Sequence, residues 1–434
     1  TFMGVPGSIY HVGYAGMSVS VPGIAFSMLI PALLVGRRLI TLGHRYNMLT
    51  MADYLADRYE STGVRGLLAV LMLIFLVSMM GAQTIGGGVI FTTYTGAPEW
   101  VGIVVMGVTV MLYCMAGGIR SIMLTDLIQG ILMVVTAVVT FFVSLKLGGG
   151  LEVINEKLAA MDTNYVSFPG HNNSYPWQGY VSMIVMWSFF AIGQPHLFTK
   201  FFTMKDHKTM FKAVILGTLG MWFSASFIEW CGVTGIISFP GLEGKQSDFV
   251  VPLILQGGLS PILSSLMIAG IFSAGMSTIS SLLLTATSAA SRDLYQKILK
   301  RNATDEETLR LSKVITVCLG IIAIGIGIYK PGSIFQIVLF AYGGLGIWAA
   351  PILLGMYWRR TTTAAVYVGV ISAEILYVLM VVKFTSWSFG FNPLIVAWAF
   401  AMVVMIVVSL LTKPASEATI RRHFDDLDRR ADAA

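Results

Sequence analysis

The sequence predicts an all-α polytopic membrane protein: two inverted five-helix repeats with broken first helices, plus additional C-terminal transmembrane helices. Three observations predict it. Hydrophobic residues make up 56% of 434 and charged residues 12%, against roughly 45–50% and 25% in soluble domains. Eleven windows are apolar over the about 20 residues that cross a bilayer. Two Gly/Pro interruptions stand in matching places with four full spans between them, and paired broken segments mark the binding site of transporters built from inverted repeats.

The elements follow in order. Residues 1–10 are too short to span and Thr1 is not an initiator Met, so the chain reads as starting inside a first helix, interrupted at Met3-Gly4-Val5-Pro6-Gly7. Spans are expected near 15–36, 66–92, 100–117, 123–147, 178–199, 210–238, 259–290, 309–329, 333–357, 362–383 and 392–412. Residues 41–62 read as an amphipathic helix begun by Thr50, with Asp53 three residues on as a capping-box analogue. Residues 148–177 form the longest outer loop, and 239–258 a second outer hairpin over the entrance. The span at 178–199 carries the second interruption, Gly193-Gln194-Pro195-His196, and the last helix of the second repeat carries a third, Tyr342-Gly343-Gly344-Leu345-Gly346 with Pro351. The divisions are therefore 1–147 for the first repeat, 148–177 for the loop, 178–357 for the second repeat, 358–412 for two additional spans and 413–434 for a polar, solvated cytoplasmic tail.

Charge sets the orientation. With successive loops alternating sides, 23 of the 28 basic residues fall on one side, from Arg37 and Arg38 to Arg429 and Arg430; Lys146, Lys157, Lys245, Lys330 and Lys383 fall on the other. The positive-inside rule makes the rich side cytoplasmic. The chain is expected in the plasma (inner) membrane, multi-pass, with its C-terminus in the cytoplasm. The net charge of +6 is then a topology signal, and no nucleic-acid partner is implied. Cys114, Cys231 and Cys318 lie inside separate spans at no motif spacing, and no two of the six histidines share a span as a haem ligand pair would. No cofactor or catalytic residue is expected, and the chain is not read as an enzyme.

Interrupted helices bind solutes because the unwound backbone offers carbonyls to cations and half-helix N-termini to anions. In the span at 259–290, Ser277, Ser280 and Ser281 share a helical face beside Thr278, and with the carbonyl of Ala274 they offer oxygen to a hard cation. Such hydroxyls also bond back to the preceding turn. An acid elsewhere would complete the shell, and Asp126, within Thr125-Asp126-Leu127-Ile128-Gln129, is the candidate, because intramembrane charge is read first as functional. Glu229 is a further acid near the outer end of its span, where it reaches water; Glu374 reads as paired or snorkelling. His196 follows Pro195 as a packing or gate residue.

Gly117-Gly118 followed by Thr125-Asp126 and Gln129, the Gly193-Gln194-Pro195-His196 segment, and Ala274, Ser277 and Thr278 followed by Arg292-Asp293-Leu294-Tyr295 resemble the sodium/solute symporter family over nearly the whole chain. The resemblance implies alternating access with sodium as coupling ion. It assigns the general sodium site to Ala274, Ser277 and Thr278, with further ligands matching positions upstream of Thr1, and a second sodium to Asp126, Ser277, Ser280 and Ser281. In the proline branch of the family a Trp matching Trp187 and a Pro matching Pro195 face the substrate, but the Tyr expected beside them is Ala191 here. The stretches from Arg45 to Tyr59 and from Ala341 to Trp358 look more like the pantothenate branch.

By position the solute pocket is expected to be lined by Thr1, Phe2, Gly4, Gln83, Trp187, Phe190, Pro195 and Tyr342. The expected function is sodium-coupled symport of a small organic solute, with pantothenate or another small carboxylate favoured. A proton-coupled carrier or uniporter of the same fold is the alternative, and an ion channel the alternative of another class. The expected partners are the solute, sodium and the lipid bilayer; the sequence gives no oligomeric state.

Overall fold

A computed structural model describes residues 2–425, and for 117–123 the backbone alone. Thr1, Arg429 and Arg430 lie outside the described residues, as do the side chains from Gly117 to Met123. The described chain is helical throughout, with no strand.

α1 (Gly4–Val12) begins within the first interruption and stops at Gly13, whose φ of 76° suits glycine. α2 (Tyr14–Pro31) passes through a π-helical turn into α3 (Arg37–Tyr46), so one span runs from Tyr14 to Tyr46. α4 (Met51–Arg58) is capped reciprocally: Thr50 Oγ1 accepts from the Asp53 amide at 3.1 Å, while Asp53 Oδ2 accepts from the Thr50 amide at 3.2 Å. The region 41–62 is thus divided between the end of α3, α4 and the start of α5 (Thr62–Thr95), because Asn47 in the left-handed region ends α3. α6 (Glu99–Gly148) contains two spans, Glu99–Ala116 and Leu124–Gly148, with helical backbone between them.

The outer loop holds α7 (Leu151–Met161) and leads to α8 (Trp177–Phe189). A 3-10 turn over Phe190–Gly193 separates α8 from α9 (Pro195–Phe202), and the two halves are bent by 52°. The cause is local: the residue before a proline is pushed to extended backbone, as Gln194 is, and Pro195 then opens a fresh helix at its first position. α10 (His207–Ser238), α11 (Val250–Gly258) in the second outer hairpin, and α12 (Pro261–Ser288) follow; α12 continues as a π-helical stretch over Ala289–Leu299. Then come α13 (Asp305–Tyr329), α14 (Ile334–Gly346), α15 (Ala349–Tyr357), α16 (Thr363–Val382), α17 (Pro393–Leu411) and the short α18 (Glu417–Ile420).

Among the described residues, ten helices are long and apolar enough to cross a membrane, and the bent pair α8–α9 makes an eleventh span. α12 packs against α5 and α6, α2 against α8 and α10, and α1 is enclosed by α2, α10 and α14. The second and third interruptions meet: a Cβ on Gly193 would collide with the carbonyl of Leu345 and with Gly346. Gln194 Nε2 donates to the carbonyl of Tyr342 at 3.0 Å across the same seam.

The tail departs from expectation. Rather than a solvated helix, α18 and the turn Arg421–Asp425 lie on α4, with His423 2% and Phe424 4% exposed.

Candidate functional site

A cavity of about 460 Å³ opens where α1, α5, the α8–α9 bend, α12 and α14 converge. Phe2 and Gly4 come from the start of α1, Gln83 from α5, Trp187 from α8, Ala274 and Thr278 from α12, and Tyr342 from α14. The structure thus brings together residues up to 340 positions apart in sequence numbering, from Phe2 to Tyr342. Tyr342 donates its hydroxyl proton to the Trp187 carbonyl at 3.2 Å, and the two rings stand 5.0 Å apart. That contact holds α14 against the last turn before the bend.

Two expected lining residues lie elsewhere. Phe190 is 1% exposed and packs its ring on Phe189 and on Trp398 of α17. Pro195 is buried at the first turn of α9 and is not in the cavity wall. The bend explains both: after Phe189 the backbone tightens to 3-10 geometry, which turns Phe190 toward α17. Thr1 lies outside the described residues.

The bend also places His196 and Leu197 in the wall, so His196 belongs to the cavity, which the sequence reading missed. The signal was present, since the residues of a new half-helix just after a break face what the break opens onto. Ser27 and Ser224 are further polar lining residues that went unread. Trp187 Nε1 and His196 Nδ1 are buried with no hydrogen-bond partner, and orphaned polar atoms beside a cavity are groups available to a solute. No Lys, Arg, Asp or Glu is among the described lining residues.

At one edge of the cavity the Ala274 carbonyl accepts from two hydroxyls, Ser277 Oγ at 3.2 Å and Thr278 Oγ1 at 2.9 Å. These are the back-bonds that serines and threonines make in apolar helices, and here they gather three oxygens within one turn. One turn further, Ser280 Oγ donates to the Ser277 carbonyl at 2.9 Å and interacts with the side chains of both Asp126 and Tyr113. Tyr113 donates its own hydroxyl to the Met276 carbonyl at 3.0 Å. Asp126 Oδ1 is buried without a hydrogen-bond partner. Hydroxyls, carbonyls and one unsatisfied carboxylate oxygen are the donor set that a hard cation takes. Ser281, adjacent to Ser280, is half-buried on the same helix. Tyr113 was not anticipated.

The other intramembrane acids stand apart from this cluster. Glu229 does not reach water: it is fully buried, with Oε2 2.6 Å from Ser20 Oγ on α2 and Oε1 unpartnered. Glu374 neither snorkels nor pairs among the described residues; it is 7% exposed, and both carboxylate oxygens lack hydrogen-bond partners. Neither residue lines the cavity.

Residues 1–373 match the model of the sodium:solute symporter family. A sodium/pantothenate symporter of Escherichia coli (strain K12) is 28% identical over 425 residues, covering 97% of this chain and 86% of that protein. A sodium/proline symporter of Staphylococcus aureus is 26% identical over 431 residues, covering 95% and 82%. Among solved structures, the substrate-bound outward-open state of a Na⁺-coupled sialic acid symporter superposes with a TM-score of 0.77 at 19% identity, covering 96% of this chain and 87% of that one. A nucleobase-cation-symport-1 family transporter in a closed conformation gives a TM-score of 0.58 at 14% identity, covering 97% and 92%.

Proposed function

Since the chain belongs to the sodium:solute symporter family, and is thereby a multi-pass, sodium-coupled solute transporter, we propose that its solute is a small organic carboxylate, with pantothenate favoured, carried by alternating access. The observation that carries this reading is the wall of the cavity. It offers a solute the unpartnered Trp187 Nε1 and His196 Nδ1, apolar surface from Phe2 and Gly4, and the amide of Gln83. It offers no fixed cation among its described residues. A carboxylate bound there draws its countercharge from sodium and from helix N-termini. The similarity to a sodium/pantothenate symporter and the alanine at position 191 both lean toward pantothenate over proline.

Sodium sits at Ala274, Ser277 and Thr278 in this reading, and a second sodium at Asp126, Ser277, Ser280 and Ser281. Each oxygen set adjoins the cavity wall through α12, so an ion there stiffens the helix that presents Thr278 to the solute. Residues 1–147 and 178–357 act as the two inverted repeats, and the basic side, with the C-terminus, faces the cytoplasm. Each sodium that enters supplies about 2.3 kcal/mol per 100 mV of membrane potential, in addition to its concentration gradient.

The test is uptake by proteoliposomes of labelled pantothenate, short monocarboxylates and proline, with and without an inward sodium gradient. Accumulation of pantothenate that requires the gradient is expected. Gradient-driven accumulation of proline alone would overturn the preference for pantothenate drawn from Ala191.

A further inference from the structure

The cavity and the ion oxygens do not involve a dense set of polar contacts that lies on the basic side around α4. Every face of this short helix is engaged. Toward the membrane, Tyr54 packs against Phe198 of α9 with ring centroids 6.1 Å apart. Arg58 Nε donates to the Gly355 carbonyl at 2.7 Å and Tyr59 to the Pro351 carbonyl at 2.6 Å, both on α15. Sideways, Asp53 pairs with Arg65 at the foot of α5 at 2.8 Å and with Arg292 beyond α12 at 3.2 Å, and Arg65 reaches on to Asp293 at 2.7 Å. α4 therefore bridges α9, which floors the cavity through His196 and Leu197, to the foot of α12, which carries the ion oxygens.

The outer face of α4 is covered by the tail. Glu60 accepts from the Ser416 amide at 3.4 Å and from the Ser416 and Thr419 hydroxyls. Asp57 pairs with Arg422, and accepts from His423 Nε2 at 2.8 Å. Phe424 lies under the Arg58 and Arg359 guanidinium groups, and Asp425 pairs with Arg359 at 2.7 Å, so the tail is also tied to the segment joining α15 to α16. Hydrogen bonds, ion pairs and a buried aromatic ring fix these ten residues on α4 from both ends.

We propose that the segment Ser416–Asp425 is a latch that clamps α4 across the basic mouth of the transporter and so restrains opening toward that side. The proposal rests on the alternating-access reading and on the basic side being cytoplasmic. A path from the cytoplasm to the cavity floor must separate α9 from the foot of α12, and α4 joins them. Anything that holds α4 down opposes that separation.

The full-length protein tests this with Cys114, Cys231 and Cys318 replaced by alanine and a reporter Leu197→Cys in the cavity floor. A membrane-impermeant maleimide is added to inside-out vesicles at saturating sodium, without solute. The tail variant Ser416→Ala, Thr419→Val, Arg422→Ala leaves α4 itself unaltered, and it is expected to raise the labelling rate at least threefold over the parent. A rate that is unchanged or slower in vesicles of both orientations overturns the latch. In the opposite sense, an Asp57→Cys, Arg422→Cys pair closed by mild oxidation should slow labelling and lower maximal uptake, both restored by reductant; a cross-linked protein that labels and turns over at the parental rate also overturns it. Labelling in right-side-out vesicles separates the premises, since acceleration confined to that side would refute the cytoplasmic orientation and leave the latch standing. Because the labelling assay contains no solute, a wrong solute assignment does not alter its result.

Discussion

In the proposed reading, Asp126 bears on coupling through a single unsatisfied oxygen. A carboxylate in an apolar span is costly unless something compensates it, and its Oδ1 has no hydrogen-bond partner. If sodium supplies the compensation, Asp126→Asn should raise the sodium concentration for half-maximal uptake about tenfold, a loss of about 1.4 kcal/mol. Solute affinity at saturating sodium should change little; a sodium titration of uptake that matches the parent would remove Asp126 from the coupling site. Thr278→Val keeps the shape of the side chain and deletes the hydroxyl bonded to Ala274, so it should also raise the sodium requirement several-fold, whereas Ser273→Ala, half-buried on the same helix with its hydroxyl bonded back to Ala269, should leave it unchanged. Equal sodium curves for the two variants would argue against the Ala274 cluster. The hydroxyl row was legible because its members lie within one turn of a single helix, where sequence spacing fixes the geometry. Tyr113 was illegible because it reaches Met276 from another span, a contact between residues 163 positions apart. Phe190 was misplaced for a related reason: helical periodicity was carried through a turn that is no longer α-helical.

At the scale of elements, helix ends decide much of what the loops do. The N-terminus of α14 is held twice, by a reciprocal cap between Ser333 and Gln336 and by Asp248 of the outer hairpin, whose Oδ2 accepts from the Ile334 amide at 3.2 Å. Burial pushes the Asp248 carboxyl up to about 6, with the Ile334 N–H and Lys330 opposing the rise and Glu99 adding to it. The folded protein therefore holds this proton more tightly than the unfolded chain, whose ordinary value is 3.8. The sign follows from linkage. The stabilising effect of that proton is fully present below about 4 and is lost as pH rises through about 6. Asp248→Asn, which keeps an acceptor for Ile334, should flatten the thermal stability profile over that interval and raise the melting temperature at pH 7.5; a profile parallel to the parent would show that Asp248 is not the group responsible. Asp53 shows the opposite balance. Burial raises its carboxyl, but Arg292, Arg65 and the Leu49 amide together bring it below the ordinary carboxylate value. Its cap with Thr50 could be read from three-residue spacing, while its two arginine partners could not, because they arrive from distant segments. The tail was misread for the same reason: a polar stretch of mixed charge gives no sign that its partner is Asp57, more than 360 positions away.

For the whole molecule, the spans were the most legible feature, since length and apolarity are properties of contiguous sequence and carry across to the helices directly. Orientation is a statement about all loops at once, with 23 basic residues against 5. It predicts that a fluorescent protein that folds only in the cytoplasm will be bright when fused after Ala434, and that alkaline phosphatase, which requires the opposite compartment, will be inactive there; the reverse pattern would invert the assignment. The cavity was only half legible, because convergence of α1, α5, α12 and α14 on the α8–α9 bend belongs to tertiary packing and is not written in any one segment.

The meeting of Gly193 with the Leu345 carbonyl, reinforced by Gln194 on Tyr342, bears on pharmacology. The half-helix that bears His196 and the segment that bears Tyr342 are packed on a common joint, so a molecule that prises one away is expected to displace the other as well. In the proposed transport cycle, whether a compound is cargo or blocker then turns on girth. One slim enough to let the joint close is carried through, while a bulkier relative that reaches the same Trp187 and His196 groups would lodge as a wedge, competing at the binding step yet never released on the far side.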